Sequence, residues 1–271
     1  MYNSFLMNDP LIFYKDNSKT ESSIYLPSNN KNPMSTSILP ETIKKGARLL
    51  KKTKIKKILF KGDVAFGVEG LVNSEINKKF KIKIFFKSLF ICCGATQTPL
   101  LLRRSGFKNF KFNNFQLHPT VKLLVKYDEN INAAEDQLPM HAITEFMPEI
   151  RFGGSVFTTP TFGMSISEDW INRKKLLRER NKFAIYYVMI KPDGIGRMYN
   201  SFLMNDPLIF YKLTERDIRK IFRGVSLFSK ALLLSGATAV YPSINNINVW
   251  ENLKDIENSN ANIKNKNLRL M

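Results

Sequence analysis

The chain is poor in the residues that most often hold metals or staple a small fold. Its 271 residues include two cysteines, adjacent at Cys92 and Cys93, and two histidines, His118 and His141. Two thiols cannot frame a disulfide scaffold of this size, and two imidazoles exclude a His-rich metal centre. Acidic residues are also scarce: 23 Asp and Glu stand against 42 Lys and Arg, a formal net charge of +19. No run approaches the ~18 consecutive apolar residues of a membrane-spanning helix. The opening stretch Met1–Lys15 contains Asn8, Asp9 and Pro10 and lacks the charged-then-apolar order of a secretory leader. These absences predict a soluble protein of a reducing, cytoplasmic compartment, with no metal and no transmembrane segment. Apolar residues, by contrast, are plentiful. Hydrophobic content is 44%, with 21 Phe, enough for a packed core rather than a disordered chain.

The charge suggests nucleic acid or an anionic surface. Its distribution opposes that reading. Lys44-Lys45, Lys51-Lys52, Lys56-Lys57, Lys78-Lys79 and Lys174-Lys175 are spread along the chain rather than gathered in one motif. No nucleic-acid partner is expected, and a basic nucleic-acid-binding module stands only as the alternative reading.

One feature is too regular for a structural repeat. Met1–Lys15 and Met198–Lys212 are identical over fifteen residues and diverge at once, Asp16 against Leu213. Repeat architectures show a fixed period, several copies and drift. The second copy lies between the turn Lys191–Gly196 and a strong helix signal. It reads as the native copy, and residues 1–31 read as a displaced or disordered segment.

The periodicity predicts a mixed fold. Pro40–Leu50 reads as a helix. Lys54–Lys61 and Val64–Val72 alternate as strands around a Gly62-Asp63 turn. Lys79–Cys93 reads as a third strand, alternating at first and then continuously apolar from Leu89, as if entering a buried sheet position. Thr96–Ser105 reads as a helix stopped by Gly106. Further on, Val121–Tyr127, Ser155–Thr159 and Phe183–Ile190 are strand-like, Ser167–Arg180 reads as helical, and a short helix is expected near Val249–Ile256. Thr214–Ser235 gives the clearest helix, with Thr214 as cap, Asp217 in the first turn and Gly236 beyond the end. Ile218, Ile221, Phe222, Val225, Phe228, Leu232 and Leu233 form its apolar stripe, which is core.

Several blocks then fall into a known order. Gly94-Ala95-Thr96-Gln97-Thr98-Pro99, with Leu101-Leu102 and Ser105-Gly106, resembles the second signature of the glucose–methanol–choline (GMC) oxidoreductases, although Phe107 and Lys108 depart from its end. Asn32–Leu50, Ile58-Leu59-Phe60 with Gly67-Val68-Glu69, Phe115–Pro119 and Tyr211–Pro242 resemble other family blocks in the same order. In Phe115–Pro119, Leu117 replaces an acidic residue of the family. The resemblance implies a mixed α/β and α+β fold, with a partial FAD-binding domain at 32–116. It also implies a partial substrate domain at 117–250 with an antiparallel sheet and flanking helices, followed by a polar tail at 251–271. It implies FAD as cofactor and an oxidoreductase acting on the CH-OH group of a small-molecule alcohol, by hydride transfer to the flavin.

Two family parts are missing from this sequence. The Gly-x-Gly-x-x-Gly run that would approach a pyrophosphate is absent, and Gly194-Ile195-Gly196 is too little to replace it. The family's catalytic His motif is absent as well, and neither His118 nor His141 matches it. No catalytic residue is therefore assigned. The chain is expected to be an incomplete middle portion, inactive alone and working with a companion polypeptide that carries the missing parts, or else the product of a split gene. The cofactor-binding candidates are Ile55, Cys93, Gly94 and Ala95. For the Cys93–Ala95 junction, contact with the ADP moiety and simple close packing remain equal readings. The stretch Glu145–Gly154 reads as a sheet-edge loop, or as a segment lining the substrate pocket.

Overall fold

The computed structural model describes residues 4–6, 34–74, 78–107, 114–131, 133, 141–199, 206–245, 247 and 249–263. In chain order the elements are β1 (Ser4–Leu6), α1 (Ile38–Lys44), β2 (Thr53–Lys61), β3 (Val64–Asn73), β4 (Lys79–Phe85), α2 (Gly94–Arg104), β5 (Thr120–Lys126), β6 (His141–Ile143), β7 (Ile150–Gly154) and α3 (Thr159–Ile166). After short helical turns that include α4 (Trp170–Arg173) come β8 (Phe183–Ile190), β9 (Arg197–Tyr199), β10 (Leu208–Phe210), α5 (Glu215–Leu234), β11 (Ala239–Pro242) and α6 (Leu253–Ile263). This is the mixed α/β and α+β class, and its sheets are antiparallel. The chain divides into two compact units. One holds residues 39–117 and 194–212; the other holds 1–38, 118–193 and 213–271.

The larger unit is a six-stranded sheet in the order β1-β6-β7-β8-β5-β11. Strand residues alternate between its faces. Val121, Leu123 and Val125 of β5, with Val188 and Ile190 of β8, face α5 and meet Ile221, Phe222, Val225, Phe228 and Leu232 in one buried cluster. The helix comes close because Gly224 faces the sheet: a Cβ there would lie 2.7 Å from Val188 Cγ1 and 3.0 Å from Ile150 Cγ2. Next to that contact Phe228 stacks on Phe152 with ring centroids 4.8 Å apart. The helix start is held by a reciprocal cap. The Asp217 N–H donates to Thr214 Oγ1, and the Thr214 N–H donates to Asp217 Oδ2 at 2.9 Å. The Asp193 N–H donates to Asp217 Oδ1 at 2.6 Å, so this fully buried carboxylate also anchors the turn before β9.

The opposite face of the sheet is covered at one end by Phe157, Phe162, Ile166 and Leu176, packed on Leu124, Phe183 and Ile185. Here three expectations need correction. Ser155–Thr159 is not a strand: the strand is β7, and Thr158 and Thr161 form a capping box that starts α3, with Pro160 in its first turn. Glu145–Gly154 is a loop only in its first half: Glu145–Glu149 turns between β6 and β7, and Ile150–Gly154 lies inside the sheet between β6 and β8. Ser167–Arg180 is a chain of short 3-10 and α turns broken at Glu179 rather than one helix.

The smaller unit is a three-stranded meander, β2-β3-β4, with α2 packed on it and a β9-β10 hairpin. Its core is Ile58, Val68 and Leu101. The first helix is shorter than its sequence signal, ending at Lys44, and none of its residues is buried. The third strand also ends early, at Phe85 rather than Cys93. Residues 86–93 lie outside the sheet, and Phe90 is 88% exposed. A continuous apolar run forms a strand only where neighbours supply its backbone hydrogen bonds and cover both faces, and among the described residues none does. Of the first copy of the duplicated stretch, the described part is Ser4–Leu6, an edge strand on β6; the rest of the expected 1–31 segment falls outside the described residues, apart from that strand.

Two outcomes test this packing. Gly224→Ala is expected to destabilise the chain by about 1–3 kcal/mol, because the added methyl forces α5 away from Val188; urea denaturation measures it. Tyr127 and Tyr186 share a hydroxyl–hydroxyl hydrogen bond of 3.0 Å in the larger unit. Burial first, then the Tyr186 neighbour, push the Tyr127 phenol well above its ordinary value of 10.0. The folded state therefore keeps Tyr127 neutral where the unfolded chain ionises. That contribution to stability is whole below pH ~10 and lost as the pH climbs above it. Between about pH 9 and about pH 11, the wild type is expected to lose more melting temperature than Tyr127→Phe.

Candidate functional site: the open start of α2

The family-like signature Gly94–Gly106 folds as α2 with its two ends. Gly94 takes a φ of +81° and Gly106 a φ of +90°, left-handed conformations in which a side chain is strained. Gly106 ends the helix, donating its N–H to the Arg103 carbonyl at 3.0 Å. Pro99 lies inside the helix and is buried. It withholds a hydrogen bond from the Ala95 carbonyl, which belongs to the exposed first turn where water can replace it. Ser105 is the buried polar contact of the unit. Its hydroxyl donates to the Leu101 carbonyl at 2.6 Å and accepts the Ile58 N–H at 2.8 Å, tying the end of α2 to the middle of β2.

The start of α2 is different. Cys93 precedes the helix, and its side chain makes no cap hydrogen bond to the first N–H groups. Cys93, Gly94 and Ala95 are all exposed, and a Cβ built on Gly94 would meet nothing within 4 Å. The four leading N–H groups of a helix have no partner within it and carry partial positive charge. This end of α2 can therefore accept an anionic oxygen with backbone donors alone. Cys92 and Cys93 are free thiols, exposed rather than at a buried strand end as the apolar run suggested. The correction follows from the early end of β4.

Ile55 is half-buried on β2 and packs in the same cluster as Leu101 and Leu102 of α2. It pairs with Gly70, where a Cβ would come within 2.5 Å of the Lys54 carbonyl oxygen, and a bulge follows at Lys56. The bulge lies beside a cleft of about 460 Å3 lined by Lys56, Glu69, Gly70, Leu71, Lys81, Ile82 and Lys83. Burial first, then Lys54, Arg104 and Lys79, hold the Lys56 ammonium below its usual value. The smaller unit is thus electropositive on this side.

The remaining sequence candidates are not gathered into a site. His118 is exposed, and its carbonyl accepts the Thr120 hydroxyl at 3.0 Å. His141 is in β6 of the larger unit. Gly196 serves packing, since a Cβ there would meet the Phe210 carbonyl oxygen and the Tyr211 ring at 2.9 Å. Among the described residues no three His, Cys, Asp or Glu side chains gather as a metal site, and no helix is long and apolar enough to cross a membrane. A second cleft, about 450 Å3, is lined by Glu149, Asp193, Arg216, Arg219, Lys220 and Arg223. Lys220 bridges Glu149 at 2.7 Å and Asp193 at 3.0 Å inside it. Sequence reading missed Ser105 as a structural tie; its signal was a Ser directly before a helix-ending Gly.

A glycine-started helix beside a three-stranded meander, in a chain with a separate antiparallel sheet unit, gives the chain a mixed α/β and α+β fold class. Comparison with known proteins names the family. The family model for GMC oxidoreductase matches residues 13–120. An uncharacterized GMC-type oxidoreductase of Sinorhizobium fredii is 34% identical over 235 residues, which cover 87% of this chain and 46% of the relative. An uncharacterized GMC-type oxidoreductase of Mycobacterium tuberculosis is 24% identical, over 80% of this chain and 34% of its own length. A long-chain-alcohol oxidase of Arabidopsis thaliana is 21% identical over 64% of this chain and 24% of its own length. Among solved structures, a pyridoxine 4-oxidase from Mesorbium loti superposes with a TM-score of 0.46 and 15% identity, over 65% of this chain and 37% of that one. The chain belongs to the GMC oxidoreductase family. It spans less than half the length of the relatives it matches.

Ser105→Ala removes the acceptor of a buried N–H and is expected to cost about 1–3 kcal/mol. Gly106→Ala should cost about 1–2 kcal/mol through its left-handed backbone alone. Denaturation midpoints of the two variants check both.

Proposed function

We propose that this chain contributes the FAD-adenylate contact and the substrate-domain sheet of an FAD-dependent oxidoreductase that acts on the CH-OH group of a small-molecule alcohol. The observation that carries the reading is the uncapped, uncovered start of α2 at the matched signature. Its backbone donors fit a phosphate oxygen, and Gly94 leaves room for close approach. Cys93, Gly94 and Ala95 would hold the ADP moiety there, with the Ile55 backbone against the adenine. When bound, the flavin supplies the redox chemistry by accepting a hydride from the alcohol carbon. This chain's own residues bind and orient; no base within reach of a hydroxyl proton is assigned among them.

The reading treats residues 32–116 as part of the FAD domain and 117–250 as part of the substrate domain. The break between compact units at 117/118 supports this, although residues 194–212 fold with the first of them. It also includes a companion polypeptide that completes the site. The exposed apolar run up to Cys93 supports that, together with Phe66, Phe80 and Phe85, exposed on the meander. The two free thiols support a cytoplasmic setting.

Fluorescence titration of the purified full chain tests the proposal. FAD is expected to bind and ADP to compete, whereas FMN, which lacks the adenylate, should not bind. Gly94→Asp should weaken FAD binding about tenfold by setting a like charge before the phosphate. Equal affinity for FMN and FAD, or FAD binding unchanged in Gly94→Asp, would overturn it. Added alcohols should leave the bound flavin oxidised in the chain alone.

A further inference from the structure

Among the described residues, the apolar cluster on the sheet face opposite α5 lies at one end of that face. On its other part Lys122 of β5 stands opposite Tyr187 of β8, which stands opposite Gly153 of β7. The Tyr187 ring lies across Gly153, where a Cβ would meet ring carbons and hydroxyl at 2.8 Å. The Lys122 ammonium lies 5.5 Å from the centroid of that ring and donates a hydrogen bond to Ser155 Oγ. Lys122 as a residue is exposed, but burial of its ammonium holds its pKa below the usual lysine value. Among the described residues no carboxylate pairs with it. Arg151, two residues from Gly153 on β7 and so on the same face, opposes Met189 and adds a second cation.

A half-enclosed ammonium normally has a counter-charge, because neutral partners leave the cost of desolvation only partly offset. Here the described partners are a hydroxyl and an aromatic face. We propose that this face is a binding subsite for a small carboxylate ligand, held by the Lys122 ammonium and the Ser155 hydroxyl. A carboxylate presents two acceptor oxygens, matching these two donors. A phosphate has more acceptor oxygens, and its protein sites more often use an arginine fork or a helix start. If the alcohol reading above holds, the substrate class becomes alcohols that also carry a carboxylate. That extension rests on the alcohol reading; the anion site does not.

The test is isothermal titration of the full chain, without flavin, with sodium benzoate, benzyl alcohol and inorganic phosphate. Benzoate is expected to bind and its neutral isostere to bind at least about tenfold more weakly. Lys122→Met should lose about tenfold or more, Lys122→Arg should keep most of the affinity, and Ser155→Ala should lose about threefold. The carbon-13 signal of reductively methylated Lys122 should titrate at higher pH with benzoate present, a shift that a purely structural lysine would not show. Benzoate affinity unchanged in Lys122→Met, equal affinity for benzyl alcohol, or tighter binding of phosphate would overturn the proposal. Should Lys122→Met fail to fold, unchanged affinity in Ser155→Ala would overturn it equally. Because no flavin enters the measurement, its outcome is independent of FAD binding.

Discussion

The larger unit depends on the close approach of α5 to its sheet. One missing side chain, at Gly224, brings the helix backbone against Val188 and Ile150. That approach sets the Phe228–Phe152 stack and seals the buried cluster that also holds Trp250 and Ile256 from beyond β11. The Asp217 carboxylate then fixes where the helix begins and, through the Asp193 N–H, where the preceding turn lies. A buried carboxylate without these donors would be costly; with them it joins a helix cap to a loop. The smaller unit repeats the principle with a hydroxyl, since Ser105 satisfies a β2 amide while staying bonded to its own helix. Each unit therefore has an apolar core and a buried polar group that ties a helix end to a neighbouring segment, a turn for Asp217 and a strand for Ser105.

Legibility in the sequence followed how local the determining signal was. The helix α5 was readable to within a residue because its cap, stripe and terminal glycine lie within the element itself. The β2-β3 hairpin was readable because Gly62-Asp63 separates two alternating runs. The failures share the opposite cause. Ser155–Thr159 has strand-like composition, but the Thr158–Thr161 capping box outweighed it. Leu89–Cys93 has the composition of a buried strand, but a strand needs neighbours, and composition does not say whether the chain supplies them. Within the candidate site, Gly94 and Ala95 were visible through their motif, whereas the openness of the helix start was not. Lys122 was hidden for a further reason: a lysine in an alternating strand reads as solvated, and its enclosure comes from Tyr187 and Ser155, far away in sequence.

The positive charge looks different once it is distributed over the fold. Several cations are neutralised locally: Lys126 pairs with Glu179 at 2.8 Å, and Lys220 with Glu149 and Asp193. Hydrogen bonding to Lys126 pulls the Glu179 carboxyl below its ordinary value. Exposed pairs of this kind contribute little to stability, so they arrange charge more than they hold the fold. Among the described residues no ion pair relieves Lys56, and burial first, then Lys54, Arg104 and Lys79 nearby, hold it below its usual pKa. Most of the surplus lies in the smaller unit, the unit whose α2 presents backbone donors to an anion. Both features favour negative charge in that unit.

The duplicated stretch contributes strands to two different sheets. In the second copy Leu208–Phe210 pairs with Arg197–Tyr199, and Met198 is buried opposite Ile209. In the first copy the described strand is Ser4–Leu6, paired with β6 at the edge of a different sheet. The two strands draw on different parts of the same fifteen residues. The strand preference of such a stretch is weak and depends on the edge it meets. In the second copy the preceding Gly196 lets the Phe210 backbone approach closely. The hairpin is therefore specified by residues outside the duplicated fifteen as well as by those within it, Gly196 and Arg197 among them.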